Sequence, residues 1–218
     1  DGMFHEGLPP GAYYGPVVSS AERAEDGSIV PGSIEFAPGN LDIPGRPDYR
    51  FLGDPNPSNF QNLSTTATFF DRLSLRTVVQ RVAGHRKMND TRGTRTPFIE
   101  GISGSRQYAL RQAESTPEEQ AAMELDLADA GQVFIDDADF VKIRELTAQY
   151  RLLDEGERLG PLSATTLTVG VRNLATLTDY FGFDPEGSVG GGSDNFTTGD
   201  FFNQPPNRYW FTRLALTF

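Results

Sequence analysis

The closing stretch Asn207-Arg-Tyr-Trp-Phe-Thr-Arg-Leu-Ala-Leu-Thr-Phe218 decides the fold class. Counted by twos, Trp210, Thr212, Leu214, Leu216 and Phe218 share one face, and Tyr209, Phe211, Arg213, Ala215 and Thr217 share the other. The first face is apolar with an aromatic at each end. The second carries an arginine among small, hydroxyl and aromatic groups. Such a strand is the unit of a transmembrane β-barrel. Trp210 to Phe218 spans roughly 26 Å of strand, close to the ~25 Å apolar band between aromatic girdles. An edge strand of a soluble sandwich is the alternative, but termini of soluble folds tend to fray.

Working outward, the same period recurs. Leu63–Phe70 sets Leu63, Thr65, Ala67 and Phe69 against Ser64, Thr66 and Thr68. Asp71-Arg72 reads as a tight turn into Leu73–Ala83, where Leu73, Leu75, Thr77 and Val79 oppose Ser74, Arg76, Val78 and Gln80. Phe140–Leu152 changes parity: Val141 and Ile143, then Leu146, Ala148, Tyr150 and Leu152. A β-bulge near Arg144–Glu145 reconciles the two. Ser163–Leu174 alternates Thr165, Leu167, Val169 and Val171 with Thr166, Thr168, Gly170 and Arg172. In a barrel the lipid-facing set is Leu63, Ala67, Phe69, Leu73, Leu75, Val79, Leu167, Val169, Val171, Leu214, Leu216 and Phe218. Arg76, Gln80, Arg172 and Arg213 fall on the polar parity and face the lumen.

The connections alternate in length: short at 71–72, long at 84–137, short at 154–161, long at 178–206. Barrels of the outer membrane have short periplasmic turns and long outer loops, so the chain end points to the periplasm and the long loops outward. Arg86–Arg95 in the first long loop is then the expected protease site. Within that loop, Ser115-Thr116, Pro117 and Glu118-Glu119 start a helix over about 117–129. Residues 1–61 form a Gly/Pro-rich loop region with a β-like patch at Ala12–Val18, and about five barrel strands occupy 62–218.

Composition narrows function. The 218 residues carry a formal net charge of −11, which argues against a nucleic-acid partner. No run approaches the ~18 apolar residues of a membrane helix, which leaves a barrel open. With no cysteine and with His5 and His85 the only histidines, a catalytic triad or zinc site has poor material. The chain reads as no enzyme, with no cofactor and no metal. The run Asp136, Asp137, Asp139 reads as a solvated strand start rather than a cation site, and GSVGGG (187–192) as a flexible loop, because no Lys-Ser/Thr follows it.

The order of motifs resembles a family. DDADFVKIRELTAQYRL (136–152), LTVGVRNLATLTDYFGFDPE (167–186) and the terminal strand resemble the C-terminal end of TonB-dependent outer-membrane receptors of the SusC/RagA-like branch. The residues that carry it are Asp137, Phe140, Tyr150, Asn173-Leu174, and Tyr180, Gly182, Asp184, Pro185 and Glu186. Upstream, GAYYGPVV and LGDPNPSNF (52–60) resemble it too. A cation-binding acidic run common in such proteins is broken here: Asn40, Asp42 and Asp48 remain among Pro38, Gly39 and Pro44.

The resemblance implies an antiparallel barrel of 22 strands. About 10 residues per strand then require roughly 220 before any loop, so 1–218 is expected to be the C-terminal part of a larger receptor. It further implies energy-coupled uptake of an oligosaccharide or peptide across the outer membrane of a Gram-negative bacterium. The implied partners are the TonB complex, acting through an N-terminal part, and a SusD-like surface lipoprotein. Trp210, Thr212, Leu214, Leu216 and Phe218 then form the C-terminal signal for barrel assembly. A small self-contained barrel or adhesin, or a soluble β-rich carbohydrate-binding domain, is the competing reading.

Overall fold

The computed structural model describes residues 5–92, 115–125, 134–153, 157–188 and 199–218. Their regular structure is mostly strand, so the chain is all-β, and no helix among them is long and apolar enough to cross a membrane. The chain divides into two units, one built on Ser58–Ala83, Asp139–Asp179 and Pro205–Phe218, the other on the described parts of 1–57, 84–138 and 180–204.

Most of the first unit is one five-stranded antiparallel sheet. Its strands are β5 (Asn59–Phe69), β6 (Leu73–Ala83), β9 (Phe140–Leu153), β10 (Ala164–Thr178) and β11 (Tyr209–Thr217). Neighbours in sequence are neighbours in space, in the order β11-β10-β9-β6-β5. Such a meander needs only hairpin connections.

Register places the apolar parity on one face. Phe69, Leu73, Tyr150, Leu167 and Leu214 form one row across the strands. Ala67, Leu75, Ala148, Val169 and Thr212 form the next, and Thr65, Thr77, Leu146, Val171 and Trp210 the third. The bulge falls where the parity change requires it. Glu145 pairs with Val78 and Ile143 with Val79, so Arg144 is the extra residue. Opposite it, Arg172 pairs with Glu145 and Ala175 with Ile143, leaving Asn173 and Leu174 out of register. Asn173 sits at φ 52, a left-handed conformation asparagine tolerates. The strand therefore continues to Thr178, past the expected end at Leu174.

Other boundaries also shift. β5 begins at Asn59 rather than Leu63. The hairpin turn centres one residue early: Phe70 and Asp71 take φ 51 and 55, and the Arg72 N–H donates to the Phe69 carbonyl. Two positive φ values match the right-handed twist of the flanking strands, which explains the position. The second short turn lies beside the first, joined by Arg72 Nη2–Glu157 Oε1 at 3.0 Å and by the Arg151 N–H donating to the Arg72 carbonyl.

The second unit is built from short pieces. β1 (Tyr13–Gly15) pairs with β4 (Arg50–Gly53), β2 (Val18–Ser20) with β3 (Glu35–Phe36), and β7 (Arg86–Met88) with β8 (Ile135–Asp137). Among the described residues, the Gly/Pro-rich region thus holds four short strands, and the first long loop holds two as well as the helix Pro117–Glu124. The helix α1 is Pro117–Glu124 and carries a full capping box. Thr116 Oγ1 accepts from the Glu119 N–H, and the Glu119 side chain accepts from the Thr116 N–H. It ends before the expected 129, and positions 126–129 lie outside the described residues. Ala121 and Ala122 of α1 pack on Val18 and Ala21, flanked by Ile29, Ile34 and Leu125. Arg23 Nε donates to Gln120 Oε1 at 2.8 Å and Gln120 Nε2 to the Gly27 carbonyl at 3.0 Å, so small apolar contact and polar clasp hold the same joint.

Candidate functional site

The sheet has two chemically opposite faces. On the apolar face Leu63 is 63% exposed, Leu214 56%, Trp210 70% and Phe218 80%. Of the proposed assembly residues, Trp210, Thr212, Leu214 and Leu216 lie on this face of β11, and Phe218 follows the strand. Val171 departs from expectation. It lies on the apolar face but is buried at 2% exposure, between the larger cross-strand residues Leu146 and Trp210.

The polar face carries Arg76, Gln80, Arg172 and Arg213 together, as register requires. Glu145 sits among them. Arg172 Nε donates to Glu145 Oε2 at 2.9 Å and Arg172 Nη1 to the Tyr209 hydroxyl at 3.1 Å. Thr147 Oγ1 donates to Glu145 Oε1 at 3.1 Å. The guanidinium also lies 5.5 Å from the Phe211 ring centroid. Phe211 itself lies over Gly170, where an added Cβ would come within 2.4 Å of the ring. Arg144, the bulge residue, reaches the same face and donates from Nε to Gln80 Oε1 at 2.9 Å. The side chains of Arg76 and Arg213 are exposed and make no hydrogen bond or ion pair among the described residues. The Arg172–Glu145 pair, half exposed at its arginine, contributes little stability.

In the other unit a polar knot joins distant segments. Asp200 is fully buried. Its Oδ1 accepts from Thr91 Oγ1 at 3.1 Å and its Oδ2 from the Tyr180 hydroxyl at 3.0 Å. Its carbonyl accepts from the Thr91 N–H, and its N–H donates to the Met88 carbonyl. Burial, with the Asp200 charge second, pushes the Tyr180 hydroxyl far above its ordinary range. Gly182 leaves the room required, since a Cβ there would meet both the Tyr180 ring and Asp200. Asp136 accepts from Asn89 Nδ2 at 3.1 Å and pairs with Arg92 at 3.0 Å. It is therefore an internal anion rather than a solvated strand start. Lys87 is buried and donates Nζ to the carbonyls of Pro185 and Gly187.

The Asp-Pro motifs at 54–55 and 184–185 use one device. Asp54 Oδ1 accepts from the Asn56 N–H at 2.8 Å, and Asp184 Oδ1 accepts from the Glu186 N–H at 2.7 Å. Each aspartate closes a turn across a proline that has no N–H to offer. Asn56 Nδ2 then donates to the Pro10 carbonyl, and the Arg86 N–H to the Asp54 carbonyl. These motifs serve as staples of loop architecture. No group of three or more His, Asp or Glu suited to a metal occurs among the described residues. The Asn40 side chain instead accepts from the Phe51 N–H, and the Asp42 carbonyl meets His5 Nε2. Most of the GSVGGG run lies outside the described residues.

Neither a protein-family model nor a curated protein sequence matches this chain. Solved structures do. A chain of the RagAB peptide importer in its open-open state aligns over 95% of this one, with a TM-score of 0.61 and 17% identity. This chain shares the fold of a segment of that importer. The closed-closed state gives 0.60 at 18% identity over 95%, and a RagAB peptide transporter structure gives 0.58 at 18% over 96%. The chain spans 22–23% of the length of those chains. The fold thus agrees with the SusC/RagA-like resemblance read from the sequence.

Proposed function

We propose that this chain forms part of the wall of an outer-membrane β-barrel that imports a large nutrient, as the C-terminal part of a 22-stranded TonB-dependent receptor in a Gram-negative bacterium. The observation that carries the reading is the apolar face of the sheet. In water, rows of exposed leucine, valine and tryptophan would aggregate; against lipid they are stabilised. Among the described residues strands β5 and β11 have open edges, which lipid tolerates only when further strands close the barrel. The likeness to importer chains supports transport. Peptide or oligosaccharide is the solute class, the TonB complex supplies energy through an N-terminal part, and a SusD-like lipoprotein covers the long connections. The receptor works as a binding and translocating protein, without catalysis. Phe218 and the apolar residues before it act as the assembly signal.

This chain contains no cysteine, so labels placed in it meet no background cysteine within its own 218 residues. Single cysteines are placed in the complete receptor at Leu63, Val169 and Leu214, and at Arg76, Thr168 and Arg213, and spin-labelled in outer membranes. The first group should respond to a lipid-soluble relaxant and the second to a water-soluble one. Equal aqueous response from both groups would favour the soluble carbohydrate-binding reading. Co-purification of a lipoprotein with the receptor checks the partner, and uptake lost on deletion of the gene checks transport.

A further inference from the structure

The chain is acidic, yet its long strands are not. They hold Arg76, Arg81, Lys142, Arg144, Arg151, Arg172 and Arg213, against Glu145 as the one carboxylate. The other acids lie in the connections and loops. All of these cations except Arg81 share the polar face by register or contact. They do not form one patch. Arg151 pairs with Thr166 near the short turns, Arg213 with Thr168 one row on, Arg76 with Thr147 in the next row, and Arg172 with Glu145 beyond that. Arg144 follows at the bulge. The series climbs the strands over roughly 23 Å. Glu145 pairs with Arg172 and Gln80 accepts from Arg144, while the side chains of Arg76 and Arg213 stand exposed without partners among the described residues.

We infer that this face is a stepwise track for a carboxylate-bearing solute, and that the imported solute is an acidic peptide. The inference rests on the import reading and names its substrate class. Three physical points support it. Arginine offers paired N–H donors that match a carboxylate, and it stays charged at any working pH. Rings of arginine or lysine select anions in aqueous pores. Cations spread in steps along a path give successive sites of similar strength, which allows release as well as entry, whereas one tight cluster would hold its ligand. Thr147, Thr166 and Thr168 between the arginines add hydroxyl groups able to bond peptide groups on the way.

The test uses the complete receptor in cells, with two fluorescent peptides of equal length, one rich in glutamate and one with glutamine in the same places. Wild type should take up the glutamate peptide faster. Arg76→Gln with Arg213→Gln should lower that uptake about tenfold or more, the order of a lost charge-assisted contact, and leave the glutamine peptide unchanged. Reversal to Glu at both positions should turn preference toward a lysine peptide. Receptor quantity at the cell surface is measured alongside, and both arginines are exposed, so folding should hold. If wild type imports the glutamine peptide as well as the glutamate peptide, the track is refuted while import stands. If it imports neither, the acidic-peptide assignment is refuted, and the import reading is judged separately by the uptake lost on deletion of the gene. If the glutamine variants instead admit a bulky antibiotic passively, the arginines hold a plug within the lumen, and the solute assignment is overturned.

Discussion

Leu63, Trp210 and Leu214 stand more than half exposed on the five-stranded sheet, while Lys87, Asn89 and Asp200 in the other unit are almost wholly buried. One unit turns its apolar side chains out, and the other turns polar side chains in. On the proposed reading, the difference is one of solvent. A strand in lipid needs its backbone bonded to neighbours and its outward side chains apolar, and little else. Long connections in water have no continuous ladder, so their buried polar groups must be satisfied one by one. The loop unit does so with side chains: Asp54 and Asp184 close turns, Lys87 caps carbonyls, and Asp200 gathers Thr91 and Tyr180. Breaking each unit should therefore require opposite chemistry.

The largest effect is expected on the apolar face. Val169 sits in the second of the three apolar rows, so Val169→Arg should cost about 2–4 kcal/mol, the penalty of an arginine near the bilayer midplane. Thr168→Arg, one residue away on the polar face, should cost little. Leu216→Arg, nearer the short turns, should fall between them. Unfolding of the complete receptor in detergent or vesicles measures all three. Equal costs at 168 and 169 would break the comparison at its root.

In the loop unit the damaging change is polar to apolar. Asp200→Ala removes the buried carboxylate that accepts from the Tyr180 hydroxyl and from Thr91 Oγ1, which keeps the Asp200 backbone carbonyl, and should cost roughly 1–3 kcal/mol. Hydrogen exchange should speed up at Thr91 and Asp200, whose N–H groups bond across the knot, and not at β10. A smaller loss, about 1 kcal/mol, is expected for Thr116→Ala at the α1 cap. It should appear as faster exchange at Glu119 and Gln120. Uniform change across both units would show that the loop joints are not local.

The same contrast governs what is legible in the sequence. The sheet is legible because alternation is local: the parity change between Ile143 and Leu146 is enough to locate the Arg144 bulge. The bulge at Asn173-Leu174 is not, because it inserts two residues and leaves the alternation intact; only the asparagine hints at it. The polar-face set Arg76, Gln80, Arg172 and Arg213 follows from the same parity, whereas Arg144 escapes it because a bulge residue obeys neither face. Parity also misleads at Val171, since it gives the side and not the cover supplied by Leu146 and Trp210. The knot leaves almost no trace, since Thr91 and Asp200 are 109 residues apart and polar residues in a loop read as solvated. Hence 86–92 reads as open to protease, although Lys87 and Asn89 are buried and Arg92 is paired with Asp136. The one signal the sequence offers is Tyr180 with Gly182, an aromatic and a small residue spaced for close packing.

The smallest expected effect sharpens the comparison, because there the loop unit carries a charge it would do better without. Asp90 lies beside the knot. Burial first, and the Asp200 charge second, hold its carboxyl above the ordinary carboxylate range. In the unfolded chain Asp90 ionises at its ordinary value. Its contribution to stability is therefore full in acid, below that value, and is lost as pH rises through the higher folded value. As pH rises through that folded value, Asp90 comes to bear a charge beside Asp200. Asp90→Asn removes that charge while keeping the shape, so the variant should be modestly more stable than wild type at neutral pH. The gain should shrink as pH falls below the ordinary carboxylate range, where Asp90 is protonated in both the folded and the unfolded chain. Val169→Arg should show no such pH dependence, since arginine stays charged throughout. The quantity to compare is the difference in protease resistance of residues 86–92 between variant and wild type at neutral pH and in acid. An advantage for the asparagine variant that is equal at both, or a disadvantage at neutral pH, would mean that the Asp90 carboxylate is welcomed by its surroundings rather than endured.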